Sequence, residues 1–571
     1  MNIHIIDLII IIVSLFAVMG IGAFYLRKKT ETSDGFFLAG RNLKWPYIGL
    51  SLFAANISTI HLVGLAASGF NEGFVWGAFE WLAAVTLIFL ALIFAPFYFK
   101  SRIQTLPEFL ERRYDSRSRT VFAFIAIISA LAVHIGMSMY AGALIFNRFF
   151  GISIAFSISL ISIITLIYYL MGGLKAVVVT QALQMGILFF GSAMLTYIGI
   201  KNLGETKSIN SIADFINALR PGQMDAFHDS ESIEVLTNSI NNEYLKNGFE
   251  KVSSSGLTWI VCFIGYPILG LWYWCSDQTI VQQVLAAKTK KDAQIGPIFA
   301  GLLKLFTPFL MILPGIIGYV LLKEDVFAAA KSAGVSKPGD MVLNILIEKF
   351  MPVGLQGIFF AALLAALMST IAAALNSIST LVSIDIVKRI KPSMKESKLV
   401  NIGSISALVV MLIAALWSTQ GDKFSSIFEA INKVASALAP CVATVLLMGV
   451  LSKRGTKEAS FYTLLIGLIL GVITFCLDFQ PISGKMYITD GLGMPFMVQA
   501  FVLFLICNAI YWIISLNSSR SSKEVTDEYC WRTPVAFLKG KITGWDDPRI
   551  LCLFLIFALI ILYITFSGLF F

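Results

Sequence analysis

The segment Ala54–Gly64, AANISTIHLVG, carries Asn56, Ser58, Thr59 and His61 at the centre of a membrane-length apolar run from about Tyr47 to Phe70. Hydrocarbon offers no hydrogen-bond partner, so polar groups at that depth must satisfy one another or hold a ligand. Three further interruptions raise the same question. Gly265-Tyr-Pro-Ile-Leu-Gly270 precedes LWYWCSDQ, where glycine and proline weaken a helix and release backbone carbonyls just before a polar cluster. Ala365-Ala-Leu-Met-Ser-Thr370 sets two hydroxyls side by side, with Asn376, Ser377, Ser379 and Thr380 on the following turns, and Thr180-Gln-Ala-Leu-Gln184 opens another run. Two charges also lie inside apolar runs, Glu80 in FEWL and Lys304 in GLLKLF, and these could pair with each other or with a polar ligand. Each interruption also has a plainer reading: hydroxyls bond back to the preceding turn or join two helices, and His61 could be a satisfied packing histidine.

The elements that must position these residues are membrane helices. With 571 residues, 57% hydrophobic and 13% charged, and a mean hydropathy of +0.81, the chain has more apolar surface than a soluble core of that length could bury. About fourteen runs are long enough to span a bilayer. They lie near 5–26, 47–70, 75–98, 121–147, 152–171, 177–200, 256–276, 294–323, 352–386, 399–418, 424–451, 458–478, 490–516 and 549–570. The first lacks a basic leader and a small-residue cleavage site and reads as a retained helix.

With Met1 outside, most of the 43 lysines and arginines fall in internal connections, which is the positive-inside pattern; the net charge of +9 reports topology and does not call for nucleic acid. The seven cysteines form no CxxC pair and suggest neither a disulfide framework nor a metal site. The external loop 201–255 has eight acids against five bases and no glycosylation sequon, which favours a bacterial inner membrane, and the loop charges put both termini outside. No HExxH, GxSxG or phosphate-loop pattern supports a membrane enzyme.

The first two interruptions fall in the second and seventh runs. That odd offset makes two such units cross the membrane in opposite senses, the arrangement of an inverted repeat with paired broken helices around a central site. The expected fold is an all-α polytopic membrane protein, a single domain at 1–571. It comprises a leading helix 5–26, a first repeat 47–200, the external loop 201–255, a second repeat 256–451, and three C-terminal helices over 458–570 with an internal loop 517–548.

At these residues the chain resembles the sodium/solute symporter family, and within it the sodium-glucose cotransporter branch. The stretches that carry the likeness are FFLAGRNLKW, SLFAANISTIHLVGLAASG, FEW, TLPEFLERRY, YYLMGGLKAVV, LWYWCSDQTIVQQVLAAK, LLKLF with LPGIIGYV, and FFAALLAALMSTIAAALNSISTLVSIDI. They run in the family's order from about 36 to 455. The resemblance implies a LeuT-type 5+5 inverted-repeat core with broken first and sixth core helices. It implies sodium ligands at the Ala54 and Ile57 carbonyls, at Ala366, and at the Ser369 and Thr370 hydroxyls, with Thr370 standing where a second serine is usual. It implies substrate contacts at Asn56, His61, Glu80, Tyr273, Trp274, Lys304 and Asn432, and gates at Leu65, Phe79, Tyr273 and Phe428. Aromatic faces to stack on a pyranose and polar groups to bond its hydroxyl rim make chemical sense of that set.

Two positions depart from the family pattern. Asn432 stands where sugar carriers usually have glutamine. Gln181 replaces the aspartate of Thr-Asp-x-x-Gln, which helps hold a second ion in relatives that move two. The function implied is sodium-driven import of a monosaccharide by alternating access. An inositol, a sialic acid or a uronate is the alternative solute, and a sugar-gated sensor or channel the alternative mechanism.

Overall fold

The computed structural model describes residues 4–26, 32–227, 258–333, 338–419, 427–533 and 535–568. Among them the chain is helical, and the principal helices are numbered here in chain order. They are α1 (Ile5–Leu26), α2 (Trp45–Asn56), α3 (Thr59–Asn71), α4 (Val75–Ser101), α5 (Ser116–Asn147), α6 (Ile154–Lys207), α7 (Trp259–Ser276) and α8 (Gln278–Leu285). After these come α9 (Lys290–Ser332), α10 (Leu355–Ile390), α11 (Glu396–Ser418), α12 (Ile427–Leu451), α13 (Lys457–Asp478), α14 (Phe496–Asn517) and α15 (Pro548–Thr565).

Among the described residues eleven helices are long and apolar enough to cross a membrane, and twelve if the bent pair α2–α3 is one span. Two shorter apolar helices, Ile5–Gly20 and Ile154–Leu170, occupy the places of the first and fifth apolar runs. The fifth and sixth runs join within α6, where Gly173 takes φ 56° and ψ −157° and turns the chain. A Cβ there would sit 2.6 Å from the Phe36 carbonyl oxygen, so glycine serves both the turn and the close approach.

The core is centred on α10, whose apolar window is 94% buried, whereas that of α15 is only 17% buried and faces outward. In a membrane protein apolar residues are buried against either lipid or protein, so α10 is recognised by its small and hydroxylated residues, which permit close helix contact. Its N-terminus is capped from another helix: the Asp7 carboxylate of α1 accepts hydrogen bonds from the Gly354 and Gly357 N–H groups, both at 2.7 Å.

The first interruption breaks the helix where the sequence suggests. The α2 and α3 axes differ by 61°, with Ile57 and Ser58 extended between them. Ser58 caps α3, and its N–H donates to His61 Nδ1 at 3.4 Å. The second interruption lies later than expected. The chain stays helical through Gly265–Gly270, passes through a π-helical turn at Leu271–Ser276, and breaks at Asp277, which is extended and caps α8 through Thr279 N–H at 2.8 Å. Gly265 and Gly270 serve close packing instead: added Cβ atoms would meet Met497 Cβ at 2.5 Å and Thr86 Cγ2 at 2.6 Å.

Candidate functional site

A cavity of about 100 Å³ lies between the first break and the π-helical turn that precedes the second. From the first break it takes Asn56, Ser58 and His61, and from α4 it takes Phe79 and Glu80. The π-helical turn of α7 contributes Trp272, Tyr273 and Trp274, α9 contributes Lys304, α10 Thr370 and α12 Asn432. All seven residues expected at the substrate therefore share one cavity, although the chain separates Asn56 from Asn432 by most of its length.

The two intramembrane charges pair with each other. Lys304 Nζ donates to Glu80 Oε2 at 2.6 Å, and the ammonium also lies 5.6 Å from the Trp274 ring and 5.7 Å from Phe53. A charge taken out of water requires such company. The Asn56 side-chain Oδ1 is buried with no hydrogen-bond partner, an acceptor placed at the cavity wall.

Beside the cavity, oxygens from two elements converge. Ser369 Oγ donates to the Ala54 carbonyl at 3.2 Å, while Thr370 Oγ1 donates to the Ala55 carbonyl at 3.3 Å and the Ala366 carbonyl at 3.2 Å. Ile57 is fully buried at the break itself. These are neutral, hard oxygen donors, a set suited to a small alkali cation. Gln181 of α6 reaches the same place, its Nε2 donating to the Ser369 carbonyl at 3.3 Å, with Oε1 buried and unpartnered.

Of the expected gates, Phe79 and Tyr273 line the cavity. Leu65 is buried one turn beyond His61 and is not among the lining residues. Phe428 lies in the first turn of α12, but its side chain lies outside the described residues.

The sequence reading passed over His134 of α5. Its Nε2 lies 3.2 Å from Asp277 Oδ2, both side chains are only 3% exposed, and its ring sits 5.6 Å from that of Tyr273. A lone histidine in an apolar run is the signal that would have found it. Tyr266 and Ser138 also line the cavity.

A helical membrane protein with a polar cavity between two broken helices is built as a solute carrier. Residues 36–467 match the Sodium:solute symporter family, and the chain belongs to that family. It is 31% identical to the sodium/glucose cotransporter of Vibrio parahaemolyticus, over 90% of this chain and 91% of that protein. It is 30% identical to the sodium/myo-inositol cotransporter of Bos taurus, over 95% of this chain and 77% of that one. The fold is that of a Na⁺-coupled sialic acid symporter of known structure, with a TM-score of 0.74 at 20% identity, covering 91% of this chain and 99% of that one. The protein is thus a multi-pass membrane protein of a sodium-coupled solute transporter family.

Proposed function

We propose that this protein imports a neutral monosaccharide together with sodium by alternating access. The observation that carries the reading is the Glu80–Lys304 pair in the cavity: the charges match, so the cavity has two strong hydrogen-bonding groups and no excess cation to attract a carboxylate. A neutral hydroxylated ring suits it better than a sialic acid or a uronate. Tyr273 offers an aromatic face for the ring, and Asn56, His61 and Asn432 offer groups for the rim. Sodium is assigned to the carbonyls of Ala54, Ile57 and Ala366 and the hydroxyls of Ser369 and Thr370. The ion and the solute then share the α2–α3 break, which gives each a reason to favour the same conformation.

A cyclic polyol such as an inositol is the second reading. It is favoured by Asn432, whose side chain is one methylene shorter than the glutamine usual in sugar carriers, and by the likeness to an inositol cotransporter. The same reading includes two oppositely oriented five-helix repeats, termini outside a bacterial inner membrane, and one sodium ion per solute. Proteoliposomes given an inward sodium gradient and a panel of hexoses, inositols, sialic acids and uronates test it. Concentrative uptake of a neutral sugar is expected. Uptake that equilibrates without accumulating would assign a channel or sensor, and preference for an acidic sugar would overturn the charge argument.

A further inference from the structure

A groove of about 830 Å³, separate from the solute cavity, opens where α4 ends and α9 begins, beside residues 527–533 and 535–539. Its floor is apolar and fixed. Phe97 and Trp531 meet edge to face at 5.0 Å, the Trp531 indole N–H donates to the Ile93 carbonyl at 3.2 Å, and its backbone N–H donates to the Val450 carbonyl at 2.9 Å. Its rim is cationic, with Lys100, Lys290, Arg532 and Lys539 all exposed. Among the described residues none of the four belongs to an ion pair; Lys100 reaches only the Glu528 backbone carbonyl, at 3.4 Å. Of the two acids on the rim, Asp527 pairs with Lys453 at 2.5 Å and also lies in the field of Arg532, and Glu528 is exposed. Four cations therefore face two carboxylates, Asp527 and Glu528, and the groove keeps an excess of positive charge at the helix ends that the loop charges place in the cytoplasm.

The geometry points to a binding site for an anionic glycerophospholipid of the inner leaflet. The cations hold the phosphate, and Phe97, Phe99 and Trp531 contact the glycerol and first acyl carbons. A soluble phosphate would use the rim but not the aromatic floor, and a zwitterionic lipid would bring no net charge to offset the groove's excess of cations over its two carboxylates. The site has a mechanical consequence. The groove joins the cytoplasmic ends of α4 and α9, the two helices that carry Glu80 and Lys304 at the solute cavity. A bound headgroup would hold those ends at a fixed separation and so bias the transport cycle.

The test uses the purified full chain in neutral detergent, titrated with phosphatidylglycerol, phosphatidylcholine or glycerol 3-phosphate and followed by native mass spectrometry and thermal shift. Phosphatidylglycerol alone should bind tightly. Combining Lys290→Ala, Arg532→Ala and Lys539→Ala should weaken it by about fivefold per cation, on the order of a hundredfold together. Combining Lys391→Ala, Lys395→Ala and Lys398→Ala, three exposed cations elsewhere on the same face, should leave it unchanged. Should the groove variant fold poorly, Glu528→Lys supplies the opposite arm and should tighten binding several-fold. Equal binding of phosphatidylcholine or of glycerol 3-phosphate, equal loss in the control variant, or no response to either groove change would overturn the proposal.

Discussion

Lys304 Nζ lies 2.6 Å from Glu80 Oε2, and the two side chains are 1% and 3% exposed. Removing one partner leaves the other charged and alone, a change that typically costs about 3–5 kcal/mol, whereas removing both together costs far less. Glu80→Ala should therefore lower the melting temperature of the purified protein and weaken solute binding. Glu80→Gln combined with Lys304→Met should regain most of the melting temperature without regaining solute affinity. A double variant that still binds solute as the parent does would remove the pair from the substrate site.

His61 is predicted to act on the solute more than on the ion. Its Nδ1 already engages the Ser58 N–H at 3.4 Å, so the imidazole spans from the α3 cap to the cavity. Losing a buried group that bonds a ligand hydroxyl costs roughly 1–3 kcal/mol, or about 5- to 150-fold in affinity. Solute and sodium titrations of His61→Ala, measured separately, should show that loss for solute and little change for sodium. Equal losses would instead indicate a purely structural role at the helix break.

Ser369→Ala removes a hydroxyl that touches the Ala54 carbonyl, and with it one of the five oxygens assigned to sodium. The variant should be made at normal levels and need a much higher sodium concentration for half-maximal uptake. Full uptake at low sodium, or parent uptake driven equally well by potassium, would refute the assignment.

Much of this was legible before any coordinates. Long apolar runs give spans because only helices can satisfy the backbone in lipid. Polar residues inside those runs mark the site because each needs a partner, and so Glu80 and Lys304 stand out singly, although nothing local says that they meet. The second break was misplaced because glycine has two uses. At Gly265 and Gly270 it admits Met497 and Thr86, and a sequence does not distinguish that from a glycine that unwinds a helix. Asp277 is the better signal, an acid that caps the next helix. His134 stands out in the same way, a lone histidine in an apolar run, although nothing local shows that it meets Asp277; Leu65 as a gate rests on the family resemblance alone, and its side chain is buried away from the cavity lining.

The His134–Asp277 contact carries its own prediction. Asp277 caps α8 and holds the histidine beside Tyr273, so the pair ties α5 to the second helix break. His134→Ala should leave the Asp277 carboxylate capped but short of a partner and allow Tyr273 to shift. Solute affinity should fall while sodium affinity holds, and His134→Gln, which retains a donor, should recover part of the loss. An unchanged solute affinity in His134→Ala would make the contact a packing feature only.

Gln181 leads to the ion count. Its amide touches the Ser369 carbonyl, beside the oxygens assigned to sodium, in the place where the family pattern has an aspartate. A carboxylate there would offset the cost of a second cation in a partly dehydrated site. At an effective dielectric near 20, opposite charges about 4 Å apart are worth on the order of 4 kcal/mol before desolvation. The amide offers only a neutral oxygen, and that Oε1 is buried and unpartnered. A second site should then stay essentially empty at ordinary sodium concentrations, and one ion should move per solute. One sodium ion moving down roughly 100 mV gains about 2.3 kcal/mol. A tenfold gradient adds about 1.4 kcal/mol, which caps accumulation at around 500-fold, and a second ion would square that ceiling. The competing view is that Gln181 only packs between helices and that Gln184, buried one turn away with both amide atoms unpartnered, compensates. Reversal potentials of proteoliposomes at stepped solute gradients separate the two. A ratio of two sodium ions per solute in the parent refutes the single-ion reading, and a ratio of one that rises in Gln181→Asp supports it.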